Sequence, residues 1–329
     1  MNEEIKQKFC REFGSDRVLL EEPMKRHTTF RIGGPAEVFV MPGNLEEVQR
    51  ILEICRTEDL PYFILGNGSN LLVSDRGYRG VVIQLDRNFG EVKVEGTEIH
   101  ASAGALLSTI AVAARRASLT GFEFAGGIPG TLGGAVVMNA GAYGGEMKDV
   151  LRKVMVMDQS GKVFEIPAEE LQMGYRTSII KTAGYIVLGA VLSLKEGNLE
   201  EIKMLTRKLS EQRTSKQPLE YPSAGSTFKR PEGYFAGKLI MDSGLRGYRV
   251  GGAQVSEKHC GFVINTGDAT AEDVRSLMKH VTEIVYAKFG VTLEPVVKFL
   301  GEFLQEIKHA ACNCYRHVRS RKIYCTENA

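Results

Sequence analysis

The sequence predicts an α+β protein of two or three domains. Short runs of β-branched residues alternate with helical patterns, and 329 residues exceed what one hydrophobic core usually organises. Two glycine-rich segments interrupt this alternation, and a chain accepts so much glycine where its backbone bends sharply or approaches another group closely. Apolar and charged fractions of 43% and 25% are those of an ordinary globular protein.

Composition also limits the classes of partner. A net charge of +2 shows no pull toward nucleic acid or a membrane surface. No apolar run approaches the roughly 18 residues that a spanning helix needs. The first residues, "MNEEIKQKFCREFG", are charged and lack the apolar core of a signal peptide. We therefore expect a cytoplasmic protein with neither nucleic acid nor membrane as a partner.

The cysteines do not predict a disulfide framework or a metal site. Six cysteines are too few for such a framework in a chain of this length. Cys312, Cys314 and Cys325 lie near His309 and His317, but they lack the paired C-x-x-C spacing of a structural zinc site. We expect no bound metal.

The first half of the chain predicts strands around one capped helix. Asn44 stands three residues before Glu47, as in a capping box, and apolar residues follow at helical spacing. Strict alternation over residues 91–104 is typical of a half-buried hairpin. The predicted strands and hairpin occupy residues 36–42, 61–66, 80–85 and 91–104.

The second half predicts longer helices. A small-residue helix (106–119), the second glycine segment, a hairpin (150–167) and a strand (184–196) complete the first unit. An amphipathic helix from Asn198 to Arg213 marks the start of a second domain. A long helix from about Ala271 to Phe289 follows Thr270 as its N-cap, and residues 291–301 form a last strand. Residues 303–329 show no clear period.

The glycine segments are candidate anion sites. In "ILGNGSNLLV" (64–73) a strand ends in a glycine turn whose backbone N–H groups could surround an anion, although such a segment alone is more often a plain turn. It is neither a Walker A loop nor G-x-G-x-x-G. The second segment, "GIPGTLGGAVVMNAGAYGGE" (127–146), has no lysine or arginine before Lys148, so backbone amides would hold the ligand. Two such segments favour a ligand that carries a diphosphate.

Six motifs in order extend this prediction. They are "HTTFRIGGPA" (27–36), "LGNGSNLLV" (65–73), "GFEFAGGIPGTLGGAVVMNAGAYGGE" (121–146), "YRTS" (175–178), "AGSTFKRP" (224–231) and "GLRGYRVGGAQVSEKHCGFVIN" (244–265). Together they closely resemble the UDP-N-acetylenolpyruvoylglucosamine reductase family over about residues 15 to 301. The chain resembles the shorter of the family's two types, which lacks an inserted substrate loop.

The resemblance implies a fold and a domain division. The fold is an FAD-binding fold of the vanillyl-alcohol-oxidase (PCMH-like) kind made of two subdomains, followed by a C-terminal α+β substrate domain. We place the FAD domain at residues 1–197, with its subdomains split near 75–80. The substrate domain then covers 198–302, and 303–329 form an atypical tail.

The resemblance also implies a cofactor. FAD would be bound non-covalently, since the first glycine loop holds no His or Cys to tether it. The implied contacts are Gly66, Asn67, Gly68, Ser69, Asn70, Gly127, Ile128, Pro129, Gly130, Thr131, Gly133, Gly134, Asn139, Gly141 and Ala142.

The implied reaction reduces an enolpyruvyl ether. NADPH would give a hydride to FAD, the hydride would pass to carbon 3 of UDP-N-acetylglucosamine enolpyruvate, and protonation of carbon 2 would give UDP-N-acetylmuramate. Arg176 in "YRTS" matches the arginine that stabilises the enolate, and its planar fork suits a carboxylate. Ser226 in "AGST" matches the proton donor to carbon 2.

Other residues match or neighbour positions that contact the substrate. The implied set is Tyr143, Arg213, Lys216, Arg230 and His259, and Arg246 is a further candidate for flavin or substrate. The expected partners are NADPH and the sugar nucleotide, and we expect a monomer.

One position departs from the family pattern. Where the family carries a third catalytic residue, a glutamate in the last strand, this chain has Val296. Glu294 lies two residues earlier and would share the same strand face, about 6–7 Å away, so it is a candidate substitute. Two alternatives stay open: a protein that binds FAD and nucleotide with impaired turnover, and another flavin oxidoreductase of the superfamily.

Overall fold

Three β-sheets of four or more strands organise residues 1–303, the part of the chain that the computed structural model describes. The first sheet has parallel inner strands and one antiparallel edge strand. Its strands, in spatial order, are β1 (Val18–Pro23), β2 (Pro35–Val40), β5 (Tyr78–Gln84) and β3 (Tyr62–Leu65). Helices α1 (Glu3–Phe13) and α2 (Leu45–Thr57) bury their apolar faces in the same core. Asn44 caps α2 as predicted, because its side chain accepts the N–H of Glu47 at 2.8 Å.

The second sheet is antiparallel throughout. Its strands, in spatial order, are β12 (Val163–Pro167), β11 (Leu151–Met157), β13 (Ile186–Ser193), β7 (Glu98–Ser102) and β6 (Val92–Glu95). Four helices follow or precede these strands: α3 (Leu107–Arg116), α4 (Leu132–Val137), α5 (Ile179–Ala183) and α6 (Leu199–Lys216). The predicted hairpins over 91–104 and 150–167 are confirmed as the pairs β6–β7 and β11–β12.

The third sheet carries the C-terminal unit. Its antiparallel strands are β15 (Ser223–Ser226), β18 (Phe262–Asn265), β17 (Ala253–Val255) and β16 (Arg249–Val250). Helix α7 (Ala236–Asp242) and the long α8 (Ala271–Phe289) share its core. Thr270 begins α8 with a capping box, so the predicted bounds and N-cap of this helix are confirmed.

Three two-stranded pairs complete the fold. They are β8 (Leu119–Thr120) with β14 (Lys195–Glu196), β9 (Gly141–Ala142) with β10 (Gly145–Glu146), and β4 (Leu71–Val73) with β19 (Lys298–Leu300). The last pair is parallel and joins the first glycine loop to the end of the C-terminal unit. No helix within residues 1–303 is both long and apolar enough to cross a bilayer.

Three boundaries differ from prediction. The split near 75–80 is too early, because β5 still belongs to the first sheet. Helix α6 contacts α3 and β8 of the first part, so it does not begin the C-terminal unit. The strand predicted over 291–301 is confirmed only at Lys298–Leu300, since residues 291–297 do not form a strand. All but the first residue of the predicted tail (303–329) lies outside the described residues.

Candidate active site

A cavity of about 800 Å³ lies where the three sheets meet. Its walls include the first glycine loop, the second glycine segment, the turn before α5, and strands β15 and β18. This volume falls within the range of pockets that enclose a small organic ligand or cofactor.

The two glycine segments touch each other at this cavity. The Asn67 amide donates to the Pro129 carbonyl at 2.9 Å. A Cβ at Gly66 would collide with the Thr131 hydroxyl, and one at Gly68, whose φ is +60°, would collide with the His27 carbonyl. Glycine is therefore required at both places for this close approach.

Most of the predicted cofactor residues line the cavity. They are Gly66, Asn67, Gly68, Ser69, Asn70, Ile128, Pro129, Gly130, Thr131, Gly133, Gly134, Gly141 and Ala142. Within residues 1–303, the backbone N–H groups of Asn67, Gly68 and Ser69 have no protein acceptor. Such N–H groups are the donors that an anion would use.

Gly127 and Asn139 are corrections, because neither lines the cavity. Gly127 packs against the stem of Arg213, where a Cβ would stand 3.1 Å from the arginine Cδ. Asn139 is 1% exposed, and its amide group forms hydrogen bonds with the protein itself. It donates to Glu146 Oε2 and to the Gly174 carbonyl, each at 3.0 Å.

Arg176 faces the cavity from a strained turn. Its φ is +59°, a left-handed conformation that costs an ordinary residue free energy. The guanidinium donates to the Gly141 carbonyl at 3.3 Å and lies 5.6 Å from the Tyr175 ring centre. Within residues 1–303 no carboxylate forms a direct ion pair with Arg176, although its charge, after the hydrogen bond from Lys148, helps to lower the pKa of the nearby Glu146 carboxyl.

Ser226 lines the cavity from a bulged edge strand. Gly225, at φ +75°, provides the left-handed residue of this irregularity, and a bulge can redirect a neighbouring side chain. Thr227 then fixes the backbone, since its N–H donates to Gly261 O at 2.8 Å and its hydroxyl accepts from Val263 N–H at 2.9 Å.

Val296 lines the cavity beside this strand. Its N–H donates to the Thr227 carbonyl at 2.9 Å, and its carbonyl accepts from the Asn70 amide at 3.0 Å. The backbone of position 296 is thus held between Ser226's strand and the first glycine loop.

Glu294 does not substitute for a carboxylate at 296. It lies outside the cavity, and its carboxylate pairs with Lys229 Nζ at 2.8 Å on the exposed surface. This ion pair lowers the pKa of Glu294. The shared-face prediction was wrong because residues 291–297 do not form a strand.

The predicted substrate residues divide in two. Arg213, Arg230 and His259 line the cavity, whereas Tyr143 and Lys216 do not. Tyr143 lies exposed at the tip of the β9–β10 ribbon, and Lys216 lies exposed at the end of α6. Their contact with substrate stays a prediction.

Burial lowers the pKa of two of these side chains. Desolvation lowers the pKa of Arg213, which keeps its charge because a guanidinium cannot be deprotonated in a protein. Desolvation also lowers the pKa of His259, so its ring is neutral at pH 7. The His259 Nδ1 accepts the Gly261 N–H at 3.1 Å, which assigns the ring proton to Nε2.

The described lining contains basic residues and no carboxylate. Its cations are Arg176, Arg213, Arg230, Lys238, Arg246, Lys258 and Lys298. Sequence reasoning missed Lys298, whose pKa is lowered by burial and by the charge of Lys181. It also missed Gln217, whose Oε1 is buried with no donor in the described chain. A lysine on a short strand gives no local sequence signal that it will line a cavity.

Comparisons with known proteins match most of the chain. Residues 36–167 match the profile of an FAD binding domain, and residues 217–300 match that of the UDP-N-acetylenolpyruvoylglucosamine reductase C-terminal domain. The reductase of Clostridioides difficile (strain 630) is 52% identical over 92% of this chain and 99% of its own length. That of Alkaliphilus metalliredigens (strain QYMF) is 53% identical over 91% and 99%. The crystal structure of the Thermus caldophilus reductase superposes with a TM-score of 0.74 at 38% identity, over 86% of this chain and 98% of that one.

Proposed function

The chain belongs to the UDP-N-acetylenolpyruvoylglucosamine reductase family, and from that premise we propose its reaction. It is a flavin-dependent oxidoreductase that reduces UDP-N-acetylglucosamine enolpyruvate to UDP-N-acetylmuramate for peptidoglycan synthesis. The observation that carries this proposal is the cavity itself. Both glycine segments, Arg176 and Ser226 line this one cavity. Its described lining contains cationic side chains and no carboxylate.

The cavity fits FAD. Gly66 and Gly68 let the first loop pack closely against Thr131 and His27, and the N–H groups of Asn67, Gly68 and Ser69 lack acceptors among residues 1–303. Backbone donors of this kind suit the diphosphate. Residues 66–70 and the cavity-lining part of 128–142 would hold the cofactor without a covalent bond. FAD supplies hydride transfer from NADPH to the substrate when it is bound.

The protein's own groups then bind and protonate the substrate. Arg213 and Arg230 suit the diphosphate of the sugar nucleotide, and Arg176 suits the enolpyruvyl carboxylate. Arg176 also stabilises the negative charge that develops beside this carboxylate as carbon 3 is reduced. Ser226 donates its hydroxyl proton to carbon 2. His259, neutral and fixed by Gly261, borders the substrate without adding charge.

We also propose a domain division and a setting for the reaction. The FAD domain ends after α6, because that helix packs on α3 and β8, and the substrate domain covers about 217–302. NADPH is the reductant. The described cavity is built within one chain, which supports a monomer, and the water-soluble nucleotide substrates support a cytoplasmic location.

Ser226→Ala tests the assignment of the proton donor. NADPH should bleach the flavin absorbance of the variant at the wild-type rate, because the hydroxyl takes no part in that step. Recovery of the absorbance after addition of the sugar nucleotide should slow by about 100-fold or more. Ser223→Ala, on the same strand outside the cavity lining, is the control and should behave as wild type. Equal recovery rates in Ser226→Ala and wild type would refute the assignment.

A further inference from the structure

The turn that carries Arg176 is fixed to the second glycine segment at both ends. At its start, the Asn139 amide donates to the Gly174 carbonyl at 3.0 Å. At its end, the Ser178 hydroxyl donates to the Val137 carbonyl at 2.9 Å. Both side chains are buried, at 1% and 2% exposure. Between these anchors, Arg176 lies in the left-handed region.

Asn139 is held rigidly enough to act as the principal anchor. Its Oδ1 accepts the Lys148 N–H at 3.0 Å, while its amide donates to Glu146 and Gly174. Glu146 is fixed in turn by an ion pair with Lys148 at 2.8 Å. The amide N–H groups and Oδ1 of Asn139 are therefore all fixed by partners, and of these partners only Gly174 belongs to the turn that carries Arg176.

A left-handed arginine needs such support. An L-residue at φ near +60° persists where surrounding contacts over-determine the backbone. The Gly174 carbonyl accepts two N–H groups, that of the Asn139 amide and, at 3.3 Å, that of Thr177 within the same turn. Without the Asn139 contact only the donor inside the turn remains, so this end of the turn is no longer tied to the second glycine segment and can relax toward an unstrained conformation. The Arg176 guanidinium would then leave the cavity wall, because its backbone sets the direction of the side chain.

We propose that Asn139 is a positioning residue that acts through Arg176 on the anionic end of the substrate. This inference rests on the proposed function. The second glycine segment accordingly does two tasks: its backbone lines the cavity, and its one amide side chain holds the catalytic arginine in place.

A double-mutant cycle on the flavin-loaded protein tests the inference. The variants are Asn139→Ala, Arg176→Ala and the double variant, each compared with wild type. The first readout is the Kd of UDP-N-acetylglucosamine enolpyruvate, from its perturbation of the flavin absorbance spectrum. The second is the rate at which this compound restores the absorbance of flavin bleached by NADPH. The first readout needs no turnover, so a failure of the proposed reaction leaves the cycle intact.

Asn265 supplies a matched control. It is 3% exposed, and its side chain also makes three hydrogen bonds, to Phe30, Gly267 and Ala269, away from the cavity. Asn265→Ala should lower the free energy of unfolding. Any change that it causes in the Kd of the sugar nucleotide should be the same whether Arg176 is present or absent. Ser178→Ala removes the other anchor by a smaller change and tests the same claim if Asn139→Ala does not fold.

The expected result is a non-additive cycle. Asn139→Ala should weaken substrate binding and slow the absorbance recovery by about tenfold or more when Arg176 is present, and by less than twofold when Arg176 is absent. Bleaching by NADPH should stay within twofold of wild type. An equal effect in both backgrounds, or no effect in the wild-type background, would overturn the inference.

Discussion

At the scale of single residues, the chemistry of the cavity depends on the side chain at position 296. Its N–H donates to the Thr227 carbonyl, its carbonyl accepts from the Asn70 amide, and the residue lines the cavity. Valine supplies no charge there, and the described lining has no carboxylate. The proposed reaction therefore relies on Arg176 and Ser226 without a carboxylate in the described lining.

Val296→Glu should increase the rate at which the sugar nucleotide restores the absorbance of bleached flavin. A carboxylate at this held position, beside Ser226's strand, can orient the donor or supply a proton, and such groups contribute large rate factors. We expect a gain of about tenfold or more, with unchanged bleaching by NADPH, measured by stopped-flow absorbance.

Thr292→Glu adds the same charge to the same segment at an exposed position outside the cavity, and it should give no gain. A Val296→Glu variant with wild-type recovery would mean that the pocket gains nothing from a carboxylate at this position.

Sequence predicted the residues of the site better than their tasks. Ser226, Arg176 and the first glycine loop lie where the motifs indicated. Asn139 was misassigned because an amide in a glycine segment suits a ligand and a backbone carbonyl equally well. Glu294 was misassigned because its direction depends on Lys229, 65 positions away in the sequence.

At the scale of elements, the first glycine loop is the part whose shape matters most. Gly68 combines a φ of +60° with a close approach to the His27 carbonyl. Both conditions exclude a side chain, for different reasons: the first through strain, and the second through collision.

Gly68→Ala should abolish tight FAD binding, because the loop must move to relieve the collision and its N–H groups would lose their common direction. Gly96→Ala is the matched control: its φ is also +60°, but a Cβ there meets nothing within 4 Å. It should cost about 1–2 kcal/mol of stability and leave the Kd of FAD unchanged. Fluorescence titration of the apoprotein with FAD measures the Kd of each variant. Equal Kd values for the two variants would contradict this account of the loop.

Elements with strong local signals were predicted well. Helix α8 has a capping box at Thr270 and a glycine at its C-terminal end, and its bounds were confirmed. The segment 291–297 gave a misleading signal, since its apolar residues suggested a strand. Its hydrogen bonds instead go to Thr227 and Lys229, and Pro295 supplies no N–H for a ladder.

At the scale of the whole molecule, direct contacts tie the C-terminal unit to the first part. Strand β19 pairs with β4, and the Asn265 amide donates to the Phe30 carbonyl at 3.0 Å. Asp75 accepts the N–H groups of Ala271 and Glu272 at 2.8 and 3.2 Å, so a carboxylate from the first part caps α8.

Asp75→Ala should lower the free energy of unfolding by about 1 kcal/mol, because two N–H groups at the start of α8 lose their acceptor. Urea denaturation of the flavin-loaded protein, followed by circular dichroism, measures the loss. Asp268→Ala removes an exposed carboxylate close to the same helix that makes no side-chain hydrogen bond to residues 1–303, and it should change stability by less than half as much. Similar losses in the two variants would contradict the capping role.

Contacts at this scale were the least predictable from sequence. Two glycine segments in one chain suggested a single ligand, but their meeting through Asn67 and Pro129 spans 62 positions. The pairing of β4 with β19 spans more than 200 positions and has no local signature.

The measurement that tests the central claim most directly is the stoichiometry of NADPH oxidation by the wild-type protein under anaerobic conditions. With UDP-N-acetylglucosamine enolpyruvate present, we expect one NADPH consumed for each molecule of UDP-N-acetylmuramate identified by mass, through many turnovers. NADPH consumption that stops after one equivalent per flavin, with the sugar nucleotide bound but unreduced, would contradict the claim that this cavity completes the reaction.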